Sequence, residues 1–116
     1  MFRIVLISVS ITMLASVCLS AELNLRALWN ANTEPDMREY RLYRVDIPRQ
    51  QIGVIPHPVT EFRFTVVVPD RSEGVLRFVL TAVDRFGNES LDSNEATYPF
   101  DFTPPAAPGG FNVRGR

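Results

Sequence analysis

The stretch Val75-Leu76-Arg77-Phe78-Val79-Leu80-Thr81-Ala82-Val83-Asp84, followed at once by Arg85-Phe86-Gly87-Asn88, decides the fold class. Leu76, Phe78, Leu80 and Ala82 recur at every second position, which places them on one face of an extended strand. Gly87 and Asn88 tolerate the left-handed backbone that a tight connection needs, so Phe86-Gly87-Asn88 is a turn.

The same grammar holds on both sides. Upstream, Phe62, Phe64, Val66 and Val68 alternate before Pro69-Asp70, and a turn over Arg71 to Gly74 leads into the central stretch. Downstream, a last strand is expected at about Ser93 to Phe100. Leu23, Leu25, Ala27 and Trp29 alternate with Asn24, Arg26 and Leu28, and the polar loop Asn30 to Asp36 separates them from Arg38 to Asp46, where Tyr40, Leu42 and Arg44 oppose Arg41, Tyr43 and Val45. That strand carries bulky groups on both faces and reads as central. Between Ile47 and Pro58, Pro48, Pro56 and Pro58 cannot donate ladder hydrogen bonds, so a strand over Gln51 to Ile55 should be short and at an edge. From Glu22 onward no stretch of ten residues keeps a helical period, and the pattern is all-β. The expected core is Leu25, Trp29, Tyr40, Leu42, Phe64, Val66, Leu76, Phe78, Leu80 and Ala82.

A chain of 116 residues holds one core. Its start, Met1-Phe2-Arg3 followed by the apolar run Ile4 to Leu19, is a signal-peptide pattern, with cleavage expected after Ser20 or Ala21. An uncleaved anchor is the alternative, since about 16 to 18 apolar residues lie at the lower edge of what spans a bilayer. Lipid attachment at Cys18 is disfavoured by Val17 and Ala15, where that motif wants a small residue and a leucine. Removal of the leader takes away the single cysteine, leaving no disulfide and no thiolate chemistry. The twelve basic residues are all arginine, scattered among thirteen acids, so no basic stripe for nucleic acid is visible. The segments are thus residues 1–21 as leader, 22–101 as domain, and 102–116 as a tail. In the tail, Thr103-Pro104-Pro105-Ala106-Ala107-Pro108-Gly109-Gly110 is a stiff linker that runs into Phe111-Asn112-Val113-Arg114.

The runs LNLRALWNANTEPDMREYRLYR (Leu23 to Arg44) and LRFVLTAVDRFGNES (Leu76 to Ser90) resemble fibronectin type III domains of bacterial secreted proteins. The resemblance covers most of the mature chain and implies a two-sheet, immunoglobulin-like Greek-key β-sandwich of about six to seven strands. It makes Trp29 the core tryptophan of the family's second strand, Tyr40 and Leu42 the core of the third, and Ala82 to Ser90 the sixth strand and its turn. The chain departs from the family in two places. Leu76 stands where the tyrosine of the tyrosine corner is usual, which removes a hydrogen bond worth on the order of 1 kcal/mol. Most of the family's first strand, which pairs antiparallel with the Trp29 strand, is missing after cleavage, so the edge from Leu23 to Trp29 is expected to be bare. PPAAPGGFNVR resembles the linker and first strand that open the next domain of a tandem array.

Catalytic signals are weak. His57, the lone histidine, lies between two prolines and reads as a solvated loop residue. Glu34, Asp36 and Glu39, and Asp84 with Glu89, do not follow the spacing of a calcium loop. There is no GxSxG elbow, phosphate-cradling glycine loop or HExxH helix, and Ser72, Ser90 and Ser93 have no triad in reach. No RGD tripeptide is present. These readings make the chain a cofactor-free, non-catalytic binding or spacer module, secreted or periplasmic, that contacts a protein partner of unknown identity. An open edge invites strand addition, and Phe111, Asn112, Val113 and Arg114 are the candidate donor, giving self-association through Leu23 to Trp29. The alternatives are a membrane-anchored or phage-encoded structural accessory protein, with membrane contact only through an uncleaved leader, and a carbohydrate-binding module using Tyr43, Phe86 and Tyr98.

Overall fold

The computed structural model describes residues 19–116; the leader and Cys18 lie outside the described residues. Six strands follow one another: β1 (Ser20–Leu28), β2 (Met37–Arg44), β3 (Gln50–Pro56), β4 (Glu61–Pro69), β5 (Glu73–Asp84) and β6 (Ala96–Asp101). They form two antiparallel sheets, β1-β4 and β3-β2-β5-β6. The chain changes sheet between β1 and β2, between β3 and β4, and between β4 and β5, which makes an immunoglobulin-like Greek-key sandwich. No helix among the described residues is long and apolar enough to cross a membrane.

The period-two residues face each other across the sandwich. Tyr40, Leu42, Leu76 and Phe78 from the larger sheet meet Leu23, Val66 and Val68 from the smaller, and all are buried. Phe78 stands edge-on to Phe64 with ring centroids 5.3 Å apart, and Trp29 stands edge-on to Tyr40 at 5.4 Å. The opposite face of β5 is buried too: Val79, Thr81 and Val83 lie under their cross-strand neighbours Tyr43, Arg41 and Glu39. Long side chains thus cover apolar surface with their stems while their polar ends reach water.

The ends of the elements shift from expectation for identifiable reasons. β1 starts at Ser20 because β4 runs on to Pro69 and the ladder extends to Ser20↔Pro69. β6 starts only at Ala96, because Ser93 is held to β5 by one backbone bond and its own hydroxyl, both on Leu80, rather than by a reciprocal backbone pair. β3 is a sheet edge, as its prolines require, and its pairing with β2 slips at Leu42/Tyr43.

The two flanks of the sandwich differ. On the β3–β4 side the sheets touch: an added Cβ at Gly53 would lie 2.7 Å from the ring of Phe62. On the β1–β6 side they stand apart.

Candidate functional site

The open flank is a groove of about 470 Å³ between β1 and β6. Leu25, Ala27 and Trp29 form one wall, Phe64, Phe78 and Leu80 line its floor, and Thr97 and Tyr98 stand opposite. The groove explains most of a departure from the expected core, for Leu25, Trp29, Phe64 and Leu80 though not for Ala82, which lies away from it. Leu25, Trp29, Phe64, Leu80 and Ala82 pack against the buried cluster but are themselves half-buried, whereas Tyr40, Leu42, Val66, Leu76 and Phe78 are buried. Side chains that a further strand would cover border solvent instead.

The backbone of β1 has a definite polarity. Trp29 N–H donates to the Thr60 carbonyl at 3.2 Å, and Asp70 N–H donates to the Leu19 carbonyl at 3.0 Å. With the register Leu25↔Phe64, these bonds place the main-chain groups of the odd-numbered residues toward β4. Those of Ser20, Glu22, Asn24, Arg26 and Leu28 therefore point to the free side, which has no strand partner among the described residues. The side chains of the odd residues face the core, so an incoming strand would bond to the even residues and bury its own alternate side chains in the groove. Trp29 Nε1, at the groove's end, is buried and finds no acceptor among the described residues.

The rest of that flank is sealed, by residues whose role the sequence concealed. The Ser90 and Ser93 hydroxyls accept the N–H groups of Ala82 and Leu80, each at 2.9 Å, while their own N–H groups donate to the Ala82 and Leu80 carbonyls at 2.8 and 2.9 Å. Two serines thus imitate a ladder along β5 beyond the start of β6. Their spacing against alternate residues of β5 is the only signal they leave in the sequence.

Of the candidate acids, Glu34, Glu39, Asp84 and Glu89 are engaged in structure. Asp84 accepts from the N–H groups of Phe86 and Asn88 and from the Asn88 side chain, fixing the turn around Gly87, whose φ is 87°. Glu89 accepts from the Thr81 and Tyr43 hydroxyls, each at 2.6 Å, and from Arg41 at 3.3 Å. These bonds, the Thr81 hydroxyl's first, hold its carboxyl below the ordinary value. Arg49 forks onto Asp92 and lies 4.1 Å above the Tyr43 ring. Glu39 pairs with Arg38 and Arg41, Glu34 accepts from Asn32, and no group of three or more metal-ligating side chains occurs among the described residues.

His57 corrects its expected solvated loop position: it is half-buried, and its Nε2–H donates to the Asn32 carbonyl at 3.0 Å, tying the β3–β4 turn to the β1–β2 loop. The aromatic candidates for a sugar platform are dispersed. Tyr43 is capped by Arg49, Phe86 is at the tip of the β5–β6 loop, and Tyr98 is on the groove wall. The tail carries no strand. It leaves β6 through Phe102 N–H bonded to the Ser72 carbonyl and is exposed throughout, Phe111 and Val113 both at 83%.

No family model matches the chain, and no curated protein does. Among solved structures, the spore cortex lytic enzyme SleM of Clostridium perfringens is similar, with a TM-score of 0.51 and 21% identity over 67% of this chain. The match spans 24% of that enzyme's length, and at this identity the likeness is one of fold.

Proposed function

We propose that the chain is an exported, non-catalytic protein-binding module of the fibronectin type III kind, whose binding element is the free edge of β1 with the groove beside it. The observation that supports this reading is the coincidence of two unmet demands at one place. Main-chain donors and acceptors of Glu22, Asn24, Arg26 and Leu28, the outward-facing β1 residues left once the leader is removed, lie directly beside half-buried Leu25, Phe64 and Leu80. An extended peptide with alternating apolar residues meets both at once, its backbone extending the sheet and its side chains filling the groove. Asp84 and Glu89, and Ser90 and Ser93, which sequence reading weighed for chemistry, are engaged in the β5–β6 turn, in bonds to Thr81 and in ladder imitation, which supports a scaffold rather than a catalyst. A match to about a quarter of a lytic enzyme accords with a module of this shape serving as one part of a larger secreted assembly.

The experiment compares wild type with Asn24→Pro in pull-downs from the exported fraction of cells expressing the chain with its own leader. The Asn24 N–H faces the free side, so proline there removes a donor that only an incoming strand uses and leaves the β1-β4 ladder intact. Partners retained by wild type and lost by Asn24→Pro are expected. Partners retained equally by both proteins would refute binding through this edge. The mass of the exported product also tests the leader, whose removal takes off about 2 kDa.

A further inference from the structure

The binding-edge reading leaves the occupant open, and the chain itself contains a segment of matching chemistry. We infer that the β1 edge accepts the tail of a second copy of this chain, antiparallel, with Phe111 opposite Leu25 and Val113 opposite Leu23. This inference rests on the binding-edge reading and adds its partner and register.

The donor alternates as the groove requires. Phe111 and Val113 are apolar and fully available, and Asn112 and Arg114 are polar. Phe111 opposite Leu25 brings the ring against the half-buried Phe64 and Leu80. The same register sets Gly110, Asn112 and Arg114 opposite Arg26, Asn24 and Glu22, the β1 residues whose main-chain groups face outward. Every hydrogen-bonded pair in the new ladder therefore meets a free edge group, and on the solvent face Arg114 lies across from Glu22 and Asn112 across from Asn24. A register two residues toward Ser20 sets Arg114 opposite Ser20 and loses the charge pair; one two residues toward Leu28 exchanges it for Arg116 opposite Glu22 but moves Phe111 from Leu25 to Ala27, and a shift by one residue turns Phe111 and Val113 to solvent.

Geometry selects a second copy over the chain's own tail. The bonds Phe102 to Ser72 and Asp70 to Leu19 put the tail's exit at the end of the sandwich where β1 begins. A tail folding back on its own domain would run parallel to β1, whereas a neighbour's tail can enter at the Leu28 end and run antiparallel. The linker 103–110 reaches about 25 Å when extended as polyproline, close to the roughly 30 Å length of β1, and so bridges one domain to the next.

The test is solution mass by light scattering over a concentration series, on the chain purified after export. Wild type is expected to form concentration-dependent oligomers, and Phe111→Asp and deletion after Thr103 to leave monomers. Glu22→Arg and Arg114→Glu should each weaken association roughly fivefold, with affinity regained when the two are combined. Wild type that stays monomeric to millimolar concentration overturns the inference. So do oligomers that survive tail deletion, and so does a combined charge exchange no tighter than either single one. A monomer whose pull-down partners are still lost in Asn24→Pro would keep the binding edge and reject self-recognition, so the two failures read differently.

Discussion

Gly53→Ala should destabilise the domain although alanine is ordinarily the better strand residue. In an unobstructed strand interior the change would gain about 0.5–1 kcal/mol. Here the new methyl would lie 2.7 Å from both Cε2 and Cζ of Phe62, well inside van der Waals contact, and the ring has restricted room to retreat. Phe62 stacks on Phe64 at 6.0 Å, and Phe64 in turn abuts Phe78. Displacement is therefore passed along a row of aromatic rings into the core. Overpacking of this kind costs about 1–3 kcal/mol, so the net loss is about 1–2 kcal/mol, a fall in Tm of roughly 5–15 °C for a domain of this size. Urea and thermal melts followed by circular dichroism measure it. Phe62→Leu shortens the ring that is struck, so the double variant should be more stable than the two single effects added together by about 1 kcal/mol. A Gly53→Ala protein as stable as wild type, or strictly additive effects in the cycle, would refute the idea that this flank is closed by direct contact between the sheets.

Acid should loosen the β5–β6 loop and the β2–β3 connection together. Glu89 is held below its ordinary value by Thr81 first and Tyr43 next, and Asp46 by the Arg44 fork and then the Arg77 N–H. The unfolded chain therefore binds more protons, so this stabilisation is complete above about pH 5 and is lost as pH falls below about 4; melting temperature against pH, with Glu89→Gln flattening the slope, checks it. Arg71→Gly should gain about 0.5 kcal/mol, because Arg71 has a φ of 56° and left-handed backbone costs a non-glycine residue more than glycine's added chain entropy. A fall in the urea midpoint would contradict that. Ser93→Ala leaves the Leu80 N–H without its acceptor and should cost about 1 kcal/mol, while Ser72→Ala removes only a hydroxyl donor to the Pro69 carbonyl of the β4–β5 turn and should cost less; paired denaturation curves decide.

The strands were legible because their period is two and their ends carry Pro, Gly, Asn or Asp. Tyr40 and Leu42, and Leu76 and Phe78, are buried as their alternation requires. Even the edge position of β3 followed from Pro48 and Pro56, which have no N–H to donate. Depth of burial was less legible than facing. Alternation says which way Leu25, Phe64 and Leu80 point, but whether they are covered depends on what stands beside β1, a property of sheet pairing between distant segments. Side-chain bonds to backbone were hidden for a related reason. The serine hydroxyls at Ser90 and Ser93 acquire their role from β5 lying a hydrogen bond away, and the His57 contact from a loop 25 residues earlier in sequence. Asn112 and Arg114 show the converse: their alternation with Phe111 and Val113 was visible, and the matching outward-facing residues Asn24 and Glu22 emerged only with the β1-β4 register.

The alternating aim of the β1 backbone has a consequence for amide exchange. The N–H groups of Ala21, Leu23, Leu25 and Ala27 are tied to β4, and those of Glu22, Asn24, Arg26 and Leu28 look outward. Residue-resolved exchange along this strand should therefore read as a comb, slow teeth separated by fast gaps, rather than the uniform protection of a strand paired on both sides. Whatever settles on the edge must slow the gaps while leaving the teeth as they were. The strand thus reports its own occupancy, residue by residue, and the length of the filled section gives the length of the visitor.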